Sequence, residues 1–398
     1  MHETYEQEGL PPSARPFASA RLGIIGGGQL ARMTALAALP LGCEVSVLER
    51  NPFSPAAQLI PLTVTGDWSD DETLRRFVAQ VDVVTLENEF VDAAVLRRLE
   101  DRGHKVFPSA ACIALTQDKL LQKEALVRAG LPVAEFCAVD SPAQIAAAGE
   151  KFGWPLVLKT RRNGYDGKGN ATIHSPAGIS AAWETLRGDD QALLVEAFWR
   201  FSQELAVIVT RGRDGNVVTY PVVETVQRDH VCHVVRAPAA IAPALADQAA
   251  EIARRAVTAV GAVGSFGVEL FLSETGAIAI NELAPRVHNS GHYTIEACVC
   301  SQFENHVRAV LGWPLGSPRL IAPAAVMLNV LGMQRGGGRP LGLEQALAVP
   351  GAFVHLYGKA QSGAGRKMGH ITALGQTTRE AMATAQEAAR ALYFEPIT

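Results

Sequence analysis

Apolar positions in the first hundred residues alternate between short solid runs and helical spacing. RLGIIGGGQLARMTALAAL (residues 21–39) predicts a strand, a glycine turn, then a helix with its apolar residues on one face. EVSVLE predicts a second strand ending at Glu49, and VDVVTLENEF a third that finishes with Glu87 and Glu89. Farther on, WPLVLKTRRNGYDGKGN predicts a buried strand over Leu156–Leu158, capped by Lys159 and followed by a basic, glycine-rich loop. ALLVEAFWRFSQELAVIV predicts two more strands, with Glu196 inside the first and Glu204 opening the second. A helix is expected over Ala244–Val260: Pro243 opens it, Leu245, Ala249, Ile252, Ala256 and Val260 line its apolar face, and Gly261 ends it. GVELFL and AIAINEL then form a hairpin across the loop Ser273–Gly276, and AFVHLYGK is a late strand.

Composition narrows the class. A chain of 398 residues with 48% hydrophobic and 19% charged residues is globular, with two or three domains expected. A formal charge of −4 gives no reason to expect nucleic acid or an acidic membrane as partner. No apolar stretch reaches the ~18 residues of a membrane span, and the polar, Pro-rich first eighteen residues suggest a flexible extension rather than a signal peptide. The six cysteines are scattered without a C-x-x-C pair, as for reduced thiols in a cytosol; Cys298 and Cys300 are expected on a helix.

Candidate chemistry gathers at strand ends. Gly26-x-Gly28-x-x-Ala31 with Glu49 about 20 residues on fits a dinucleotide fingerprint, so an oxidoreductase is one reading. In the basic loop, Gly164, Gly167 and Gly169 can close over phosphates that Lys159 and Lys168 neutralise, but the spacing is not that of a Walker P-loop. Glu196 inside an apolar strand needs a partner, either a ligand or an arginine. If Leu272 pairs with Ala277, Glu269 lies opposite Ile280 and diagonal to Glu282, roughly 7–8 Å away, where the two carboxylates can share Mg²⁺. A one-residue slip would put them on opposite faces. The loop PRVHNSGH just past Glu282 would then stand beside nucleotide phosphates, with an arginine and a histidine ready for a second anion.

GGGQLARM, NGYDGKG, VELF, NELAPRVHNSGHYTIEA and GKAQSGAGRKMGH together resemble the 5-(carboxyamino)imidazole ribonucleotide synthase family of the ATP-grasp superfamily, over residues 21 to 395. The resemblance implies an α/β and α+β architecture. A Rossmann-like pre-ATP-grasp domain would occupy residues 19–115, an ATP-grasp domain with a mobile lid 116–312, and a small β-rich C-terminal domain 313–398. It implies ATP and Mg²⁺ as cofactors, 5-aminoimidazole ribonucleotide and bicarbonate as substrates, and a cytoplasmic homodimer. Residue by residue, it places Lys119, Lys159, the lid Gly164, Tyr165, Asp166, Gly167, Lys168 and Gly169, then Glu196, Phe198, Glu204, Asn281 and Glu282 around ATP. Glu269 and Glu282 become metal ligands, and Arg286, His288 and Asn289 face bicarbonate and the amine. Gln29, Leu30, Glu87, Lys359, Arg366 and Lys367 would hold the ribonucleotide, which reassigns the Gly26–Gly28 turn to its phosphate side. Asn163 stands where the family usually has glycine and Asn170 where it has glutamine, while LENEF leaves Glu89 as the alternative to Glu87.

Bicarbonate attack on the γ-phosphorus of ATP would give carboxyphosphate, which carboxylates the amine; His288 would orient that intermediate or move a proton. The competing readings are the oxidoreductase, another ATP-grasp ligase such as formate-dependent glycinamide ribonucleotide transformylase, and a non-catalytic nucleotide sensor.

Overall fold

The structure, a computed structural model, describes residues 20–164 and 168–396. The flexible extension expected over residues 1–18, and Tyr165, Asp166 and Gly167 of the expected lid, lie outside the described residues.

Strands β1 (Ala20–Ile25), β2 (Cys43–Glu49), β3 (Leu62–Thr65), β4 (Val83–Leu86) and β5 (Lys105–Val106) form a parallel sheet in the order β3-β2-β1-β4-β5. Strand order reverses between β1 and β4, and the crevice past the carboxyl ends of such strands is where open α/β sheets take ligands. The Gly26–Gly28 turn and Glu87 to Glu89 meet there. The third apolar run is thus the fourth strand. β3, sequence LTVT, buries only Val64, too little apolar pattern to be legible.

A second sheet, in the order β6-β9-β7-β8, comprises β6 (Phe136–Val139), β7 (Leu156–Thr160), β8 (Asn170–Ile173) and β9 (Leu193–Ala197). The third contains β10 (Gln203–Arg211), β11 (Val217–Thr219), β12 (Val223–Arg228), β13 (Val231–Ala237), β14 (Gly264–Leu272) and β15 (Ile278–Ala284). The expected helix runs Pro243–Ala259 and buries Ala249, Ile252 and Ala256 against this sheet.

C-terminal strands follow: β16 (Ala324–Leu331), β17 (Gly336–Leu341), β18 (Ala352–Leu356), β19 (Gln361–Ser362), β20 (Lys367–Gly375) and β21 (Tyr393–Pro396). β16, β20 and β18 continue the third sheet through β13–β16 pairing, while β17, β19 and β21 make a small sheet of their own. Backbone hydrogen bonds therefore tie this part to the middle of the chain, and bring Lys367 at the start of β20 toward the β14–β15 hairpin. Cys298 and Cys300, expected on a helix, follow helix Thr294–Ala297 instead, where the backbone of Cys298 turns extended. All six cysteines are free. Among the described residues, no helix is long and apolar enough to cross a membrane.

The hairpin register is a correction with a consequence. Its loop is one residue tighter than expected, because Ser273 N–H bonds Ala277 O (2.9 Å) and Gly276 turns with φ +84°. Leu272 consequently pairs with Ile278, and Leu270 with Ile280. That slip alone would have separated the two carboxylates. A bulge then inserts Asn281, so that Glu269 pairs directly with Glu282 and both face the same side.

Candidate active site

A cleft of about 270 Å³ lies between the parallel sheet and this hairpin, lined by Glu89, Lys119, Arg161, Glu282, Arg286 and His288 among others. Lys119 opens helix Lys119–Arg128. Asp118 caps that helix by accepting Leu120 N–H (3.0 Å) and also grips Arg161 Nη2 (2.7 Å), fixing the Lys119 backbone against the segment after β7. The Lys119 ammonium is hydrogen-bonded to Glu282. Burial works against that carboxylate's charge, but Lys119 outweighs it and holds Glu282 well below the usual range. Burial, then the charge of Glu282 opposite, pushes Glu269 up.

Glu196 answers the question of its partner. Its Oε2 accepts from Lys159 Nζ (3.1 Å) and lies 3.3 Å from Lys123 Nζ. Burial opposes ionisation of Glu196, yet the two ammonium groups together keep it below the ordinary carboxylate range. Lys159 also donates to Asn281 Oδ1 (3.3 Å), the bulge residue, whose Nδ2 reaches Glu269 (3.4 Å). Glu204 lies on β10 opposite Phe271 and shares a face with Glu269; Phe201 stacks on Phe271 at 4.5 Å, and Phe198 is exposed nearby in sequence. Asn163 adopts φ +63°, so the residue standing in place of a glycine keeps a left-handed backbone that Asn tolerates.

Across the hairpin, Arg286 makes a two-pronged ion pair with Glu89, with Nη2 donating to Oε1 at 2.9 Å. Burial would discharge this guanidinium; Glu89 more than offsets it. His288 lies over Gly267, where an added Cβ would sit 2.5 Å from its Cβ and Cγ. Its Nδ1 accepts from Ser290 N–H (3.4 Å) and contacts Ser290 Oγ (2.9 Å), which places the ring proton on Nε2, 3.5 Å from Glu269 Oε1. Burial, then Arg286 and Lys367, lowers His288 to about 3, so it is neutral near pH 7. The fully buried Gln302 clamps its backbone at both ends, accepting from His288 N–H (2.9 Å) and donating to His288 O (2.7 Å). Asn289 turns away from the cleft to exchange amide hydrogen bonds with Asn329 (3.0 and 2.6 Å). Its side chain ties the loop to β16 instead of lining the cleft, where it was expected beside bicarbonate and the amine.

The glycine turn is also reassigned by its neighbours. Gly27 N–H donates to Glu49 Oε2 (2.6 Å), and Glu49 Oε1 takes Arg50 N–H (2.7 Å), so this acid caps its own loop. A Cβ on Gly28 would collide with the carboxyl of Glu87, and one on Gly27 with Ser54. The turn is bare to admit the protein's own side chains, which removes the dinucleotide reading. Glu87, raised first by burial, accepts from Asn88 Nδ2 (2.9 Å).

Gln29 begins the following helix, Gln29–Ala38. Leu30 packs into a buried cluster with Val287 and Tyr357, joining the glycine turn, the Arg286 loop and the Lys359 loop at one corner. Its side chain is therefore core, which leaves only its backbone for the substrate contact expected of it. At the same corner Lys359 donates to Lys367 O (2.7 Å), and Gln58 donates to Gly358 O (2.8 Å). Arg366 and Lys367 part company: Arg366 is exposed and bonded to Gln361 O (2.9 Å), whereas Lys367 is half-buried and its charge is felt by His288 and Glu269.

Among the described residues no group of three or more His, Cys, Asp or Glu could hold a metal alone. The Glu269–Glu282 pair nevertheless suits Mg²⁺: two opposed carboxylates, already drawing Lys119 as counter-ion, are hard oxygen ligands that would hold the ion beside phosphate. Lys123, Gln302 and Gly267 carried no sequence signal; each is defined by contacts with residues distant in the chain.

Comparison with known proteins identifies the family and the fold. Residues 19–117 match the ribonucleotide synthetase preATP-grasp domain, 124–303 the ATP-grasp domain, and 325–384 the phosphoribosylaminoimidazole carboxylase C-terminal domain. An N5-carboxyaminoimidazole ribonucleotide synthase of Synechococcus elongatus is 44% identical over 352 residues, 88% of each chain. A phosphoribosylaminoimidazole carboxylase of Ogataea methanolica is 43% identical over 369 residues; the chain spans 67% of that protein, and 64–65% of those of Vigna aconitifolia and Saccharomyces cerevisiae. Among solved structures, the Aspergillus clavatus synthase in complex with ADP and 5-aminoimidazole ribonucleotide matches with a TM-score of 0.85 at 40% identity, covering 94% of this chain and 99% of that one.

Proposed function

The chain belongs to the N5-carboxyaminoimidazole ribonucleotide synthase family of ATP-grasp ligases, and from that membership we propose how its side chains share the work. It is an ATP-dependent carbon–nitrogen ligase of purine biosynthesis, converting ATP, bicarbonate and 5-aminoimidazole ribonucleotide into the N-carboxylated ribonucleotide, ADP and phosphate. The reading rests on the synthases; whatever the additional length of the fungal and plant carboxylases does is not carried over.

One observation carries the assignment of roles: the bulged hairpin presents Glu269 and Glu282 side by side, with Lys119 and Lys159 on one flank and Arg286 and His288 on the other. We assign the first flank to the nucleotide and the second to bicarbonate. Glu269 and Glu282 would hold Mg²⁺, which would supply charge neutralisation at the phosphate oxygens. Lys119 gives up Glu282 and Lys159 gives up Glu196 to reach phosphate. Arg286, aligned by Glu89, holds bicarbonate in line with the γ-phosphorus; a bicarbonate oxygen bonds to phosphorus as the bond to ADP breaks, giving carboxyphosphate. The ribonucleotide amine then bonds to the carboxyl carbon, phosphate leaves with its oxygen, and the amine's proton is lost. Neutral His288, with its Nε2–H directed into the site, orients the intermediate rather than adding charge.

Because Gly267 leaves the space in which His288 lies, Gly267→Ala is expected to lower kcat by roughly 10²-fold, as small misplacements of reacting groups do. Steady-state kinetics beside a thermal melt test this: normal turnover in a folded variant would show that His288 needs no such seat. Lys367 is assigned to the ribonucleotide phosphate, so Lys367→Ala should raise the KM for 5-aminoimidazole ribonucleotide about 10- to 100-fold, the loss of one charge-assisted contact, and spare that for ATP. Arg366→Ala should do far less. Equal effects of the two substitutions, or a selective effect on ATP, would put the phosphate elsewhere. We also propose a cytoplasmic homodimer: the six free thiols support a reducing compartment, and the mass of the protein in solution decides the dimer.

A further inference from the structure

The triad Lys123–Glu196–Lys159 has more cations than it needs as a static ion pair. Both ammonium groups address one oxygen, Glu196 Oε2, at 3.3 and 3.1 Å, while Oε1 has no hydrogen-bond partner among the described residues. Their surroundings differ. Lys159 stands on β7, just before the glycine-rich loop, and its side chain also reaches Asn281 Oδ1 beside the paired carboxylates. Lys123 projects from the second turn of helix Lys119–Arg128, is 2% exposed, and has as its other contacts Asn281 O (3.4 Å) and the ring of Phe136 (6.0 Å). It is walled in, and burial lowers its ammonium to about 8.

We propose that Lys123 is a positioning residue, the standing counter-ion of Glu196 that lets Lys159 leave for the nucleotide. This rests on the nucleotide lying at Lys159. When Lys159 turns to phosphate, a buried carboxylate that had no second cation would be stranded, and stranding a buried charge is strongly unfavourable. With Lys123 in place, Glu196 keeps a partner in both states, so ATP gains Lys159 without that penalty.

The test is a double-mutant cycle on ATP affinity, read by calorimetry with MgATP and the full-length enzyme. Lys123→Met should weaken ATP roughly 10- to 100-fold, because Lys159 becomes the only ammonium among the described residues within ion-pair distance of Glu196. It should leave the KM for 5-aminoimidazole ribonucleotide near its original value. In a Glu196→Gln background, where no charge is left to strand, the same Lys123 substitution should change ATP affinity by less than about threefold, within the additivity of uncoupled sites. A merely structural Lys123 would give the same loss in both backgrounds, or none, and either result overturns the proposal. If Lys123→Met is not recovered folded, Lys123→Gln runs through the same cycle. Lys159→Met separates the two layers of argument. If it leaves ATP affinity unchanged, the nucleotide is misplaced; if it weakens ATP while the Lys123 cycle shows no coupling, only the role of Lys123 falls.

Discussion

Replacing Glu282 by Gln is expected to cut turnover by about three orders of magnitude or more while leaving the fold intact. Glu282 is held ionised by Lys119 and faces Glu269 across the bulge, so it is the better anion of the pair. Its amide analogue keeps shape and hydrogen bonding but loses the charge a divalent cation needs. Little beside it compensates: Asn281 is neutral and engaged with Lys159 and Glu269, and Glu269, though relieved of the Glu282 charge, is still disfavoured by burial and supplies one carboxylate where the cation needs two. Release of phosphate from ATP in the presence of bicarbonate and 5-aminoimidazole ribonucleotide, with a thermal melt as control, measures it. Turnover within tenfold of the unmodified enzyme at millimolar Mg²⁺ would remove Glu282 from the metal site.

Arg286→Lys should lower kcat/KM for bicarbonate by about 10²- to 10³-fold, the cost of losing one donor aimed at developing negative charge. The substitution keeps the charge, so it isolates geometry. Glu89 holds two nitrogens of the guanidinium, and a third donates to Val287 O (3.2 Å), fixing the plane of the fork. A lysine is a single point charge and cannot be aligned that way. ATP affinity should change little, since Lys119 and Lys159 stand on the other flank. A bicarbonate saturation curve within threefold of the original would show that the anion is held elsewhere.

The Glu269–Glu282 metal pair illustrates how far spacing can be read. Two apolar runs with a Gly-containing turn between them predict a hairpin, and both acids fall near one end of it. The expected register was one residue out and took no account of a bulge; the two errors cancel in the structure. A three-residue loop and a four-residue loop look alike in SETG, and a bulge is one unpaired residue that no local pattern announces. Glu49 shows the reverse case. Its position fits a ribose-binding acid, yet its carboxylate spends both oxygens on backbone N–H groups of its own corner.

What the sequence determines by itself is local. Apolar period and punctuation by Gly and Pro set β1 with its glycine turn, Lys159 on β7, the helix opened by Pro243, and the loop after Glu282, because backbone sterics and burial act over a few neighbouring residues. The motifs in those segments were enough to identify the family. The tertiary structure alone decides which charge meets which: Lys123 and Lys159 on Glu196, Glu89 on Arg286, Asn329 on Asn289, and Gln302 under His288. These pairings join residues far apart in the chain, so they exist only once sheets and helices have packed. At that stage desolvation turns each buried charge into a demand for one particular partner, and that demand has no period along the sequence to betray it.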